Sequence, residues 1–259
     1  MSRSNRAASV LSPVTKYISW NAKTGKFMVR AKEMEPQEIK FPFRFLVLDM
    51  LSQVTGYYKA DKTQVTSNMV RQFEPQYFVV NVKGVNGFPR SGFWETLKEP
   101  LRGYGGRWTK VIFAMIPSKE TKTGMEIAKL ELHGKAISAW GSIESKVWDG
   151  AVLCEGATQP DDEGYMYPVF KITTATTETE QKSLVLDKEL QEYLKAYFEV
   201  WNERINEKGV NVGQGDRPQK QETSRSAKKE NSYYDGDDMN APPPPMDEIP
   251  PEPTDDLPF

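Results

Sequence analysis

One cysteine, Cys154, and one histidine, His133, are all that this 259-residue chain has of the two side chains most used for soft-metal and thiol chemistry. A lone cysteine excludes an internal disulfide framework and any multi-cysteine zinc site. With one residue of each kind, no Ser-His-Asp, Cys-His or zinc arrangement is convincing. Cys154 ends Ala151-Val152-Leu153-Cys154 and is expected to be a small core residue, while His133 sits in an alternating segment and is expected to be structural. No apolar run approaches the roughly 18 residues of a membrane helix, and Met1–Ser12 lacks the apolar core of a signal peptide. No membrane association and a reducing cytoplasmic setting are therefore expected. Gly103–Gly106 lacks the Gly-Lys-Ser/Thr of a phosphate loop, and no dinucleotide fingerprint is present. Asp49, Glu95, Glu99 and Glu126 have no spacing that would assemble a carboxylate-metal nuclease. Neither an enzyme nor a metal or organic cofactor is implied.

Apolar residues make up 38% of the chain and charged residues 27%, a balance that points to a disordered portion. The net charge of −2 hides an asymmetry. Residues 1–149 hold 23 Lys and Arg against 13 Asp and Glu, and residues 150–205 hold 5 against 11. The last 25 residues, from Asp235, carry 8 acidic side chains and no basic one. A basic folded part and an acidic tail can each meet a different partner.

Lys16–Trp20 and Lys26–Arg30 flank Asn21–Gly25 and read as a β-hairpin. Ile39–Leu48 is a longer strand in which Pro42 marks an edge or a bulge. Gly56–Ala60, Tyr77–Val82, Trp108–Ile116, Met125–His133, Ala151–Gly156 and Tyr167–Ala175 complete the strands. Ser91–Leu101 and Lys135–Ile143 read as short helices or turns. The fold expected is mainly β, an OB-fold-like barrel with inserted loops over residues 14–182, after a flexible N-terminus at 1–13.

One C-terminal α-helix is expected over 183–205, its periodicity clearest from Asp187. Leu186, Leu190, Tyr193, Leu194, Tyr197, Trp201 and Ile205 recur at three- and four-residue spacing, and Asp187 is placed to cap. This aromatic stripe must pack on something: the barrel, or a second copy in a homo-oligomer. Residues 206–254 hold eight of the chain's 18 prolines and few apolar side chains, and read as a disordered, acidic, Pro-rich linker. With the last five residues it would reach on the order of 180 Å extended and ~40 Å as a flexible coil.

Binding single strands without sequence preference takes cations along the phosphate path and exposed rings for base stacking. Gly87-Phe88-Pro89-Arg90-Ser91-Gly92-Phe93-Trp94 and Arg102-Gly103-Tyr104-Gly105-Gly106-Arg107-Trp108-Thr109-Lys110 interleave the two. The candidate DNA-binding residues are Tyr57, Arg71, Arg90, Phe93, Trp94, Arg102, Tyr104, Arg107, Trp108 and Lys110. Phe41, Phe43, Phe45 and Phe78 alternate in strands and are expected in the core.

The chain ends Asp255-Asp256-Leu257-Pro258-Phe259. This tip resembles the acidic C-terminal tip of bacterial and phage single-stranded-DNA-binding proteins, in which an acidic run ends in Pro-Phe. Tyr17–Asn21 before Gly25-Lys26-Phe27, and Phe43–Asp49 before Thr55-Gly56-Tyr57, are similar to single-stranded-DNA-binding proteins of crAss-like phages, over roughly residues 16–205. The core is larger than the bacterial barrel, so the bacterial tetramer does not carry over. The resemblance implies binding and protection of single-stranded DNA during phage replication, recombination or repair. It also implies that Phe259 docks in an apolar pocket of a replication, recombination or repair protein, with Pro258 stiffening the tip and Asp255 and Asp256 pairing with basic residues. The alternatives are a tail-mediated adaptor that does not grip DNA and a strand-annealing recombination mediator. The acidic tail is also expected to compete with phosphate for the groove, at the high effective concentration of a tethered segment.

Overall fold

In the hairpin at the start of the fold, Asn21 Oδ1 accepts the N–H groups of Lys23 and Thr24 at 3.1 and 3.3 Å, and Gly25 turns the chain at φ +63°. It joins β1 (Val14–Asn21) to β2 (Lys26–Ala31), as the sequence led us to expect. The computed structural model describes residues 11–31, 34–60, 62–72 and 76–207. Residues 1–10, residues 208–254 and the tip at 255–259 lie outside the described residues, while Asn206 and Glu207, expected to begin the linker, end the last helix.

The remaining strands are β3 (Gln37–Glu38), β4 (Phe43–Tyr58), β5 (Thr63–Ser67), β6 (Val70–Arg71), β7 (Tyr77–Val82), β8 (Arg90–Phe93), β9 (Gly106–Pro117), β10 (Met125–His133), β11 (Ala151–Ala157) and β12 (Pro168–Thr173). Three helices are interspersed: α1 (Trp94–Arg102), α2 (Lys135–Gly141) and α3 (Thr177–Glu207). The fold is mainly β with one long C-terminal helix. Its strands run in the order β3-β2-β1-β10-β9-β4-β5-β7-β8, with β11 and β6 also paired to β4 and β12 paired to β11. The sheet is open and mixed: β1 and β10 are parallel, and the other ladders are antiparallel. Among the described strands no ladder joins β3 to β8, so closure into a barrel is not seen.

Strand β4 organises the whole. A register shift between Val47 and Asp49 bends it, and β9 pairs with it from Leu46 to Gly56. It also pairs with β11 at Phe43–Phe45, with β6 at Leu51–Ser52 and with β5 at Thr55–Tyr58. Val111–Ile116 in β9 is buried on both faces, which is why this segment reads as an unbroken apolar run.

Three apolar clusters fill the interior. The largest joins Ile18, Phe27, Phe43, Phe45, Leu130 and Cys154 beneath α2, whose Trp140 is fully buried. Burial pushes the Cys154 thiol up to about 11, leaving little thiolate at neutral pH. A second cluster lies between the sheet and α3, where Leu190 and Leu194 meet Leu51, Val111 and Phe113. The third packs Leu97 and Leu101 of α1 on Val54, Val65, Phe78 and Val80.

Helix α3 is longer than its aromatic stripe suggests. It begins at Thr177, and the Thr176 hydroxyl accepts the Thr179 N–H at 3.2 Å as its cap. Asp187 lies inside the helix and accepts from Gln191 at 3.3 Å, so it is not the cap expected. The stripe docks on the sheet. Tyr197 Oη accepts the Met69 N–H at 2.7 Å, and Gln191 donates to Asp49 at 3.1 Å.

Candidate nucleic-acid interface

Successive side chains of a strand point to opposite faces, and directly paired residues share a face. In β9 this separates Trp108, paired with Val54, from Arg107, paired with Thr55. The candidate residues therefore divide between the two faces.

On the face that carries Trp108, the turns before β8 and after α1 bring rings together. Tyr104 lies 5.0 Å from Tyr58 and 4.9 Å from Phe88, ring centre to ring centre. The Arg90 guanidinium sits over both Phe88, at 4.9 Å, and Tyr104, at 5.2 Å. Arg90 also donates to the carbonyls of Gly87 at 3.4 Å and Pro100 at 3.3 Å, tying the β8 edge to α1. Behind this group Trp94 meets Trp108 edge-on at 5.7 Å, and Trp108 meets Phe78 at 5.4 Å. Phe93 pairs with Tyr77 at 5.6 Å, and both alternate to the face opposite Phe78, away from this group. Tyr58, Phe88, Phe93, Trp94, Tyr104 and Trp108 are all half-buried, neither core nor free surface. Exposed Lys59, Lys83, Lys98 and Arg102 stand on the same elements and turns, with Glu95 and Glu99 on α1. The arrangement can present aromatic faces and cations side by side.

The glycines of this region let two stretches of backbone approach closely. Gly105 takes φ +72°, and a Cβ there would lie 2.5 Å from the Tyr57 carbonyl oxygen. A Cβ on Gly56 would lie 1.9 Å from the Gly105 carbonyl oxygen. Gly56 and Gly106 face each other across the ladder, and the Gly105 carbonyl folds back over Gly56, so backbones touch here while the Leu101 and Val65 side chains pack against Gly106.

Four other candidates stand apart from the rings. Lys110 is buried, with 7% of its side chain exposed, and its ammonium pairs with Glu144 in the turn after α2. Arg71 pairs with Asp49 at 3.4 Å and lies over Phe198 of α3 at 4.9 Å, on the face that α3 covers. Tyr57, half-buried and opposite Gln64, alternates to the same face as Thr55. Arg107 is exposed on that face too. Asp255, Asp256, Leu257, Pro258 and Phe259 lie outside the described residues.

Compared with models of known families, with curated proteins and with solved structures, the chain has no match. Its chemistry has to be read from its own residues. Among the described residues no group of three or more His, Cys, Asp or Glu side chains could hold a metal ion, and no helix is long and apolar enough to cross a membrane.

The sequence reading passed over a set of polar side chains on the Arg107 face. Thr55 Oγ1 and Thr109 Oγ1 share a hydrogen bond of 2.7 Å, and Thr109 Oγ1 lies 3.1 Å from His133 Nδ1. Lys129 donates to Gln53 at 2.9 Å and pairs with Glu131 at 2.8 Å. Burial holds His133 below its ordinary value, with Glu131 opposing and Arg107 and Lys129 reinforcing the shift. Burial pushes the Glu131 carboxyl up, but Lys129, His133 and Arg30 outweigh it and the net direction is down. The signal was available as polar residues at period two in adjoining strand ends: Gln53 and Thr55, Arg107 and Thr109, Lys129, Glu131 and His133.

Proposed function

We propose that this protein binds single-stranded DNA, largely independent of base sequence, on the ring cluster around Tyr104. One observation carries the reading: Tyr104 touches both Tyr58 and Phe88, all three rings are half-exposed, and Arg90 lies over Phe88 and Tyr104. Every base has a π-face, so such platforms stack without discriminating, while Arg90, Arg102 and the neighbouring lysines supply phosphate contacts. The basic excess of residues 1–149 favours an anionic strand over an acidic protein.

We also propose that the core is an OB-fold-like barrel with inserted loops. It is supported by the bent β4, which pairs with β9 along most of its length and with three further strands. The tip reading is also ours. Phe259 is the anchor for a replication, recombination or repair protein, and Asp255 and Asp256 provide steering. Its support is the resemblance of the last five residues and the 8 acidic side chains from Asp235 onward.

The test is a titration of tryptophan fluorescence with oligo-dT and with duplex of equal length. Quenching by the single strand at modest ionic strength, with weaker binding of the duplex, is the outcome expected. Absence of binding to oligo-dT would leave the adaptor reading in its place.

A further inference from the structure

Strands β5 and β7 pack one side on α1 through Val65, Phe78 and Val80. Their other side belongs to the face that carries Arg107. Arg107 of β9, Thr55 of β4, Thr66 of β5 and Asn81 of β7 are directly paired in turn, so the four form one row on that face. At ordinary strand spacing the row is about 14 Å wide. Helix α3 covers the same face only lower down, at Leu51, Val111 and Phe113. Arg107 and Asn81 are exposed, as are Gln64 and Ser91 beside the row. Rings stand at two of its margins. Tyr57, two residues past Thr55, is half-buried. Tyr77 and Phe93, also half-buried and in edge-on contact, lie roughly 13 Å along β7 from Asn81.

The floor between these rings is tied down. Thr55 and Thr109 share a hydroxyl bond of 2.7 Å, and Gln53 donates to the Ser67 carbonyl at 2.6 Å. The Asn68 amide donates to the Tyr77 carbonyl at 3.1 Å and accepts the Val79 N–H at 2.7 Å. Among the described residues, the part of this face beyond α3 on β4, β5, β7, β8 and β9 carries no acidic side chain. In β10 Glu131 is paired with Lys129 at 2.8 Å, and Arg30 and Arg107 leave the face positive. Rings that stack, cations for phosphate, and amides and hydroxyls that meet base edges or sugar are the three contact types a single strand uses.

We propose that this face binds a second single strand of DNA, so that one protomer holds two strands, or two segments of one strand, on opposite sides of the same sheet. This rests on the reading of the Tyr104 cluster as the first site. The two sites are kept apart by the sheet itself: β5 continues it alongside Gly56, Tyr57 and Tyr58, and Leu101 and Val65 pack at Gly106. Arg107 holds phosphate at the second site, Tyr57, Tyr77 and Phe93 stack, and Asn81 and Gln64 meet the strand between them.

A short oligo-dT probe counts the sites. One of about 6 nucleotides lies at the low end of the roughly 4–16 that a single module covers. Titrated into the full chain at low salt, with protein above Kd, it should bind at two per wild-type chain. Arg107→Glu and Asn81→Glu, at exposed positions, should each leave the melting temperature unchanged and lower the count to one, while Arg107→Lys keeps it at two. Tyr104→Ala should also lower it to one, and Tyr104→Ala with Arg107→Glu should leave none. A count of one in wild type, lost with Tyr104→Ala and kept with Arg107→Glu, overturns the proposal and leaves the ring site standing. A count of one that is lost with Arg107→Glu and kept with Tyr104→Ala overturns the ring reading and the holding of two strands with it. If Arg107→Glu turns a dimer into a monomer in sedimentation without changing the count, the face belongs to a second copy and the proposal fails. If the unaltered chain binds no probe, both readings fall together.

Discussion

The Lys110 ammonium rests against the Glu144 carboxylate with 7% of the lysine side chain and 23% of the glutamate exposed. Lys110 follows Arg107 and Trp108 and reads as a phosphate contact, yet it pairs with Ser52 and Leu132 on the inner side of the sheet. Glu144 supplies the counter-charge from the turn that closes over the largest core cluster.

Removing one member of this pair leaves a charge in a dry site. Glu144→Gln should destabilise the fold by on the order of 3 kcal/mol, while the double change Lys110→Met with Glu144→Leu should be close to neutral. Chemical denaturation curves of the two variants check this. Oligo-dT affinity of the folded double variant should equal that of wild type.

For the ring cluster, Tyr104→Ala should lower affinity for oligo-dT by about 1–3 kcal/mol without altering its salt dependence. Arg102→Gln should do the reverse, lowering the log–log slope by roughly 0.7 with a smaller loss of affinity at low salt. Titrations at three or four salt concentrations distinguish the two patterns.

Tyr197→Phe keeps the ring but takes away the acceptor of the Met69 N–H. Both groups are sheltered by α3, so the orphaned donor should cost about 1–3 kcal/mol in thermal or urea unfolding. Leu194→Ala, at a fully buried position of the same stripe, should cost about 2–5 kcal/mol.

His133 makes stability depend on pH. Its folded value is held below the ordinary 6.5, so at pH values below that the unfolded chain takes up a proton that the folded chain resists. The contribution is complete above pH 6.5 and is lost as pH falls through the folded value. Arg107, Lys129 and Glu131 are the charged groups that act on it. Melting temperatures from pH 8 to pH 5 should fall more steeply in wild type than in His133→Gln.

Much of the fold was legible because period-two alternation survives wherever one face is buried. Tyr77–Val82 and Met125–His133 were read to the residue, and the hairpin turn at Gly25 came from its own local chemistry. Strand β4 was less legible. Its sequence shows a strand to Leu48 and another from Gly56, because Ser52, Gln53 and Gly56 look like breaks. Those residues are instead paired within a 16-residue strand. Helix α3 starts ten residues before Asp187 because Thr176 caps it and Glu178 and Glu180 favour its first turn, although Leu184 and Val185 there remain exposed. The ring cluster could be anticipated from composition around Gly87–Trp108. The split between Arg107 and Trp108 could not, since it depends on which strand each residue pairs with.

The parallel ladder between β1 and β10 joins Ile18 to Leu130 and Ser19 to Glu131. A ribosome must therefore release about a hundred residues beyond the hairpin before it finds its permanent neighbour. Until then Ile18 and Phe27 have no interior to enter, and the growing polypeptide carries an unattached, sticky two-stranded flap. Such long-range closure slows folding and raises the hazard of association. Expression at reduced temperature or with holdase chaperones should accordingly raise the soluble yield.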